Sequence, residues 1–596
     1  MSLGKTVVHC KDWPGFIGNR LGVYWLQTAV QEALKSGLTV EEADAILGKP
    51  MGIPKTGVFG LLDLVGLDLM PHITASMGAL LVKDDPFHHS NKPVPVIAKM
   101  ISEGYTGRKG KGGFYRLNRE KGKRKEAIDL TTGEYRDEQK PEILALTEAG
   151  KSLVKLLSHD SKHGQYGWAV MGKTLAYAAA LVGEVSDHIN AIDEAMRLGF
   201  NWKFGPFELI DQLGSNWFVE RLSKEGSVIP KFLTIANGRP IYRFENSLKQ
   251  VLGFDGKYHT IQRPDGIVLL EDIKRNSQPV LKNGSAALWD VGDGVAWFEF
   301  TSKMNSLDVE NMLLIHQSIQ LVKENFKALV IYNDSQVFSA GANLGLVTTA
   351  AKASAWSEIE NIIKVGQRAF LALKYAPFPV VAAPSGIALG GGCEIVLAVD
   401  AVQAHAELNM GLVEVSVGLI PAWGGCKEML HRWATLGGLS EGPMPAVIKA
   451  FEIISQATVS KSAADAKALL FLRTDDGITM NRDRLLADAK AKALLLVKNY
   501  QPPKPMTFNL PGPSARQVID RAIRANHKLG KATDYDLVVL GELADILSGG
   551  DTDFITPLTE HDVLALECEH FMNLVRDDRS VNRIAHMLET GTPLRN

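Results

Sequence analysis

Cysteine is scarce in this chain of 596 residues: there are four, Cys10, Cys393, Cys426 and Cys568. They lie far apart, with neither metal-ligand spacing nor a disulfide framework, which fits a reducing compartment. An excess of charge of one sign is also missing. Lys and Arg total 65 against 67 Asp and Glu, a formal net charge of −2. No basic arm or face therefore marks a nucleic-acid or membrane-surface binder. No apolar run reaches the ~18 residues of a spanning helix, and no signal-peptide pattern opens the chain. Histidines such as His88 and His89 lack metal spacing, so no metal is expected. Since 596 residues exceed what a single core holds, the expectation is a cytoplasmic protein of several domains without a membrane span.

What is present begins with a strand-like Lys5–Cys10 and the stretch Pro14-Gly-Phe-Ile-Gly-Asn-Arg-Leu21. Leu21 to Leu34 carries apolar residues at helical spacing, and Thr39-Val-Glu-Glu42 has the form of a capping box. The segment Gly57–Gly66 reads as a helix with glycine at both ends. Gly205–Gly214 repeats it at an offset of 148, with Gly, Phe, Leu, Asp and Gly in register. Upstream, Asp193–Gly199 parallels Asp44–Gly48, so a helical unit is duplicated. The basic turn Gly107–Tyr115 fails the G-x-x-x-x-G-K-[ST] phosphate-loop pattern and reads as a solvated turn before an aromatic anchor. Residues 118 to 160 form a charged connecting excursion. Further on, Lys257–Ile261 and Gly266–Leu270 flank a Gln-Arg-Pro-Asp-Gly turn and predict a small hairpin.

Strands then alternate with helices. Gly294–Phe300, Ala328–Tyr332 and Pro379–Ala383 read as strands, and Leu307–Asn325 and Ser357–Leu373 as helices, which predicts an α/β domain. From about 485 the chain returns to helices. Three small-residue segments fall within the α/β region: Phe338-Ser-Ala-Gly-Ala-Asn343, Gly390-Gly-Gly-Cys-Glu394, and Gly411-Leu-Val-Glu414 with its Gly418–Gly425 sequel. Glycine permits close backbone approach, and the N–H groups at a helix start are unsatisfied and point outward. Two such groups can hold a developing oxyanion. Glu394 and Glu414 are carboxylates in an apolar setting, where burial is costly and calls for a chemical reason. Read singly, Glu394 is a helix-dipole partner and Glu414 a surface acid. Cys393 has no partner base and reads as a packed thiol.

Two resemblances carry these motifs further. P-G-F-I-G-N-R-L, the G-x-F-x-L-x-D-x-x-G helix and the Gly107–Tyr115 turn resemble the C-terminal helical domain of 3-hydroxyacyl-CoA dehydrogenases. There the counterpart of Asn19 lies near the substrate thioester, whereas the residue alone reads as a turn or capping asparagine. The resemblance implies NAD for the parent dehydrogenase. No G-x-G-x-x-G follows a strand in this sequence, so the expectation is that the NAD-binding domain is absent here. Residues 286 to 480 resemble the crotonase, or enoyl-CoA hydratase, superfamily. That likeness implies an oxyanion hole from the N–H groups of Ala342 and Gly391, and catalytic roles for Glu394 and Glu414. It places Ala340, Gly341, Asn343, Leu344 and Gly390 at the substrate.

This chain departs from the pattern at Asn343 for the usual Asp, Val413 for a common Pro, and Ala422-Trp423 in the P-G-x-G-G turn. All three lie at the pocket edge, where they bear on acyl-chain preference. The expected fold class is α/β plus all-α. Its order is a first dehydrogenase-type helical domain (1–117), an excursion with a repeated helical domain (118–240), a linker or hairpin (241–285), the crotonase domain (286–480) and a C-terminal helical region (481–596). The implied activity is hydration of 2-enoyl-CoA within a fatty acid β-oxidation fusion, with no cofactor beyond the coenzyme A of the substrate. Double-bond isomerisation, or a non-catalytic acyl-CoA-binding and assembly role, are the alternatives. Acyl-CoA thioesters, a second copy or a thiolase-type protein are the implied partners.

Overall fold

A computed structural model describes residues 4–119, 122–436 and 442–596. The chain folds as two compact units, Val7–Gln262 and a second formed by Arg263–Asn596 with the N-terminal residues through Thr6.

The first unit is built twice. Its two 19-residue helices, Gly18–Ser36 and Lys162–Ala180, pack along one another. Each is followed by a shorter pair: Val40–Ile46 and Phe59–Val65 in one copy, Ile189–Phe200 and Pro206–Leu213 in the other. The capping box at Thr39 is formed, with Glu42 N–H donating to the Thr39 hydroxyl and Thr39 N–H to the Glu42 carboxylate. Each copy ends in a three-stranded antiparallel sheet. The first comprises β1 (Tyr115–Asn118), β2 (Arg124–Ile128) and β3 (Tyr135–Asp137), the second β4 (Tyr242–Glu245), β5 (Leu248–Leu252) and β6 (Tyr258–Thr260). Part of the expected excursion after residue 118 is therefore sheet. The basic Gly107–Tyr115 turn closes on itself through Gly107 N–H to Gly112 O at 2.8 Å, and Phe114 is buried against Phe59.

Two expectations about strands fail. Lys5–Cys10 joins no sheet. The predicted hairpin partner of Lys257–Ile261 is not a strand either: Leu270–Asn276 is a helix, and β6 pairs upstream with β5. The actual hairpin, β4–β5, turns at Asn246 and Ser247, both left-handed at φ 47° and 63°. Consecutive left-handed residues suit the twist of a tight hairpin, but Asn-Ser lacks the glycine by which such turns are usually spotted.

The second unit contains a seven-stranded sheet in the order β16-β14-β12-β10-β9-β8-β7. It runs from β7 (Leu281–Lys282), β8 (Ala286–Asp290) and β9 (Val295–Phe300) through β10 (Ala328–Tyr332), β12 (Val380–Ala383) and β14 (Ala401–His405) to β16 (Gly477–Thr479). Pairing is parallel from β9 to β16 and antiparallel between β7, β8 and β9. Strands β10 and β12 are buried throughout, as expected for apolar runs in a sheet covered on both faces. A second parallel sheet is formed by β11 (Val337–Ser339), β13 (Ile387–Leu389) and β15 (Asn409–Gly411). The candidate site lies at the ends of these three short strands.

Four helices close the chain: Pro513–Lys528, Asp534–Ser548, Glu560–Val575 and Asp578–Thr590. Their buried residues, among them Val539, Val563, Met572 and Ile584, share one continuous core with the strands and helices of the α/β part. No helix among the described residues is long and apolar enough to cross a membrane.

Candidate active site

Strand β11 leads into the loop 340–343, and Leu307 fixes its course. Leu307 N–H donates to Gly341 O at 2.8 Å and Asn343 N–H donates to Leu307 O at 2.9 Å. In such a bridge the intervening Ala342 turns its own N–H to the opposite side, as alternate residues of an extended chain do. Strand β13 ends at Gly390, whose backbone (φ 54°, ψ −126°) is open essentially to glycine alone, and the helix Gly391–Leu397 starts there. A Cβ on Gly341 would lie 2.7 Å from Leu389 O and 3.1 Å from Gly391 N, so the two loops touch backbone to backbone. Among the described residues neither Ala342 N–H nor Gly391 N–H donates a hydrogen bond. Two unpaired donors from adjacent loops form an anion-stabilising niche.

The helix after the glycines stops at Leu397, two residues before the apolar run Ile395–Val399 ends. The buried Arg432 takes the carbonyl of Leu397 at 3.0 Å, and the half-buried Arg473 takes those of Val399 at 3.0 Å and Asp400 at 3.1 Å just beyond the helix. The other expected contact residues divide. Ala340 is exposed and Leu344 half-buried, while Asn343 caps the helix Leu344–Lys352 by accepting from Leu346 N–H at 3.3 Å.

Glu394 sits in the first turn of the Gly391–Leu397 helix and is 3% exposed. Its Oε1 accepts Trp423 N–H and Gly425 N–H, both at 2.8 Å. Its Oε2 accepts nothing among the described residues. Burial pushes its pKa up to about 7, against the pull of the two N–H donors and Lys427. Glu414 opens the short turn Glu414–Val417, which the left-handed Gly418 ends. Its Oε2 is buried without a hydrogen-bond partner. Its Oε1 lies over the glycine turn, 3.1 Å from where a Cβ on Gly390 would stand. Burial, then the charge of Glu394, and more weakly that of Glu567, raise its pKa well above the carboxylate range. Burial also holds the Cys393 thiol protonated, which agrees with a packed rather than nucleophilic cysteine.

Trp423, noted in the sequence only as a departure in its turn, and two residues missed there support this geometry. Trp423 lies against Gly391, where a Cβ would come within 2.5 Å of the indole ring. Gln367, from the helix Trp356–Lys374, donates to Ala422 O and to Leu564 O, each at 2.9 Å. Glu567, wholly buried on the Glu560–Val575 helix, accepts Gly424 N–H at 2.7 Å and Lys427 N–H at 3.0 Å. The available signal for Glu567 was an acid on the apolar face Val563, Leu564, Cys568 of a helix.

Asn19 stands apart from all of these, in the other unit. It is exposed in the first turn of the Gly18–Ser36 helix and makes no side-chain hydrogen bond among the described residues. The next residue, Arg20, is buried and paired with Asp85 and Tyr177. The helical unit carries only antiparallel strands among its described residues. No G-x-G-x-x-G turn follows a strand of the parallel sheets. The described residues therefore do not fit a dinucleotide.

Known families match along the same division. The family described as 3-hydroxyacyl-CoA dehydrogenase, C-terminal domain, matches residues 15–117 and 166–232, one segment in each copy of the repeat. The family described as enoyl-CoA hydratase/isomerase matches residues 291–435. A Bacillus subtilis protein named probable 3-hydroxyacyl-CoA dehydrogenase is 35% identical over 603 residues, covering 100% of this chain and 75% of that protein. Putative fatty acid oxidation complex trifunctional enzymes of Rickettsia felis and Rickettsia prowazekii are 33% and 31% identical, over 98% of this chain and 74% of theirs. Fold and site thus define an enzyme class in which a crotonase-type α/β domain follows the helical domain of a 3-hydroxyacyl-CoA dehydrogenase. Acyl-CoA substrates suit both parts, and the dehydrogenase family implies NAD whereas the hydratase family needs no cofactor. The chain belongs to the fused 3-hydroxyacyl-CoA dehydrogenase/enoyl-CoA hydratase family of fatty acid oxidation.

Proposed function

We propose that the Glu394–Glu414 site hydrates 2-enoyl-CoA to 3-hydroxyacyl-CoA. The observation that carries this reading is a buried carboxylate, Glu394, beside a half-buried one, Glu414, each with an oxygen lacking a partner, next to two unpaired N–H donors. The thioester carbonyl binds between Ala342 N–H and Gly391 N–H. Water enters against Glu394 Oε2, which takes its proton as the oxygen bonds to C3. The electron pair of the double bond moves toward the thioester, the two N–H groups stabilise the resulting enolate, and Glu414 delivers a proton to C2. One water is consumed and no redox change occurs. Ala340, Gly341, Asn343, Leu344 and Gly390 frame the acyl thioester.

The acid–base assignment follows from the environments. Glu414, desolvated and beside Glu394, stays protonated and serves as acid, while Glu394 titrates near neutrality and serves as base. General acid–base catalysis of this kind contributes about 10²–10⁴-fold. The test is loss of enoyl-thioester absorbance with the chain and without NAD, measured beside Glu394→Gln and Glu414→Gln. Full activity in both variants would sink the assignment. A product with a shifted double bond, seen by NMR, would make the enzyme an isomerase instead.

We also infer that the helical unit serves NAD-dependent 3-hydroxyacyl-CoA dehydrogenation in the fused protein, with Asn19 at the thioester. Hydration yields the substrate of that step. NADH formation by a fused protein carrying Asn19→Ala at the wild-type rate would remove Asn19 from this role.

A further inference from the structure

The helix Gly425–Thr435 is held at its N-terminus by two carboxylates from two other helices. Glu394 takes the N–H groups of Trp423 and Gly425, and Glu567 takes those of Gly424 and Lys427. The donors interleave along the turn. Neither acid can move without unpairing donors next to those that the other holds. Gln367 ties the same turn to the Glu567 helix through Ala422 O and Leu564 O.

Docking alone does not explain a carboxylate at this position. The Lys427 ammonium pairs instead with Glu428 at 2.6 Å and Glu560 at 2.5 Å. Glu567 is thus a buried acid answered only by the Gly424 and Lys427 N–H groups, with no cation in contact, a costly way to satisfy two donors. The ionisable groups facing it are Glu394 and Glu414 from the site and Lys427 on the turn, with Cys426 beside them. Burial and the charge of Glu394 raise Glu567 to about 8.

We propose that Glu567 is a positioning residue of the hydration site: it holds the 423–427 turn where Glu394 Oε1 is pinned and Glu394 Oε2 stays free for the attacking water. The inference rests on the hydratase reading. Glu567 touches no reacting atom, but once ionised, above about pH 8, its charge adds to the forces keeping Glu414 protonated. Removing that charge lowers the pKa of the acid, so the alkaline limb of the pH–rate profile moves to lower pH.

The experiment measures kcat, KM and the pH profile of enoyl-CoA hydration in the full chain for Glu567→Gln and Glu567→Asp, beside Glu394→Gln. Expected for Glu567→Gln is a kcat reduced roughly 10–100-fold, the scale of a small misplacement of a catalytic group. Its KM should change little, and its alkaline limb should lie lower. Glu567→Asp keeps the charge but not the reach, so its kcat falls while its limb stays in place. Wild-type kcat and profile in both variants, with Glu394→Gln inactive, would reduce Glu567 to a docking residue. Should Glu567→Gln fail to fold, Glu567→Asp decides, and wild-type kcat there overturns the proposal. Full activity in Glu394→Gln would instead overturn the hydratase reading itself.

Discussion

The two units bury carboxylates in opposite ways. In the helical unit Asp44 accepts from Val58, Phe59 and Gly60 N–H and from the Tyr115 hydroxyl, with both oxygens occupied. Its counterpart in the second copy, Asp193, accepts from Phe207 and Glu208 N–H and from Tyr242. Asp63 and Asp211 likewise take two N–H groups each, from Phe114 and Tyr115 and from Ile241 and Tyr242. In the α/β unit Glu394 leaves one oxygen without a donor, and an oxygen of Glu414 is buried with none. Burial raises the pKa in both settings, to about 7 for Asp44 and for Glu394. A shifted pKa therefore does not by itself set the two acids proposed for catalysis apart from the structural ones. Satisfaction of their oxygens does: a fully bonded carboxylate staples a fold, and a half-bonded one is ready for substrate and water.

The sharpest break between the two groups is expected at the site. Glu394→Gln and Glu414→Gln should each lower hydration about 10²–10⁴-fold with circular dichroism and melting near wild type. A large stability loss with intact turnover per folded molecule would put these acids in the structural class. Next in size is the niche between the loops. Gly341 lies at φ +88°, and a Cβ there would strike Leu389 O. Gly341→Ala should therefore displace the Ala342 and Gly391 donors and cost about 10²–10³ in kcat. Unchanged kcat would remove these N–H groups from the reaction.

The structural acids should behave the other way. Asp193→Ala leaves the buried Phe207 N–H and the part-buried Glu208 N–H and Tyr242 hydroxyl without their partner. A loss of roughly 3 kcal/mol in the helical unit follows, readable as faster hydrogen exchange in Pro206–Leu213, with the hydration rate untouched. A drop in hydration without faster exchange would blur the comparison. The smallest effect is a linkage. The Asp193 pKa is raised to about 8 in the fold, so its proton is retained there at pH values where the unfolded chain has lost it. That stability is complete below the unfolded pKa near 4 and is lost as pH rises toward 8. The exchange protection of wild type over Asp193→Asn should accordingly shrink from pH 5 to pH 8. An advantage growing over that range would mean that Asp193 is held ionised.

Much of both groups could be read from the chain. The repeat was visible because each staple is short: Asp44 reaches residues 58–60, Asp193 reaches residues 207 and 208, and glycine must stand where the chain crosses the acid. Glu394 and Glu414 stood out as acids among apolar residues only twenty positions apart. Glu567 did not, because it lies 567 − 414 = 153 residues beyond Glu414 on a helix whose partner no local pattern names. The β4–β5 hairpin escaped because Asn246-Ser247 adopts left-handed backbone without glycine.

The sequence by itself determined the alternation of strand and helix, the duplicated helical unit, the glycines that allow close approach and the two acids set among apolar residues. These follow from side-chain periodicity and from backbone freedoms that belong to single residues. Only the tertiary structure decided that Leu307 turns the Ala342 N–H outward, that Glu394 spends one oxygen on the 423–425 turn and keeps the other, and that a helix from the end of the chain grips that turn. Those outcomes depend on hydrogen bonds between segments far apart in sequence. Packing of the whole core sets such distances to a few tenths of an ångström, and no local pattern encodes them.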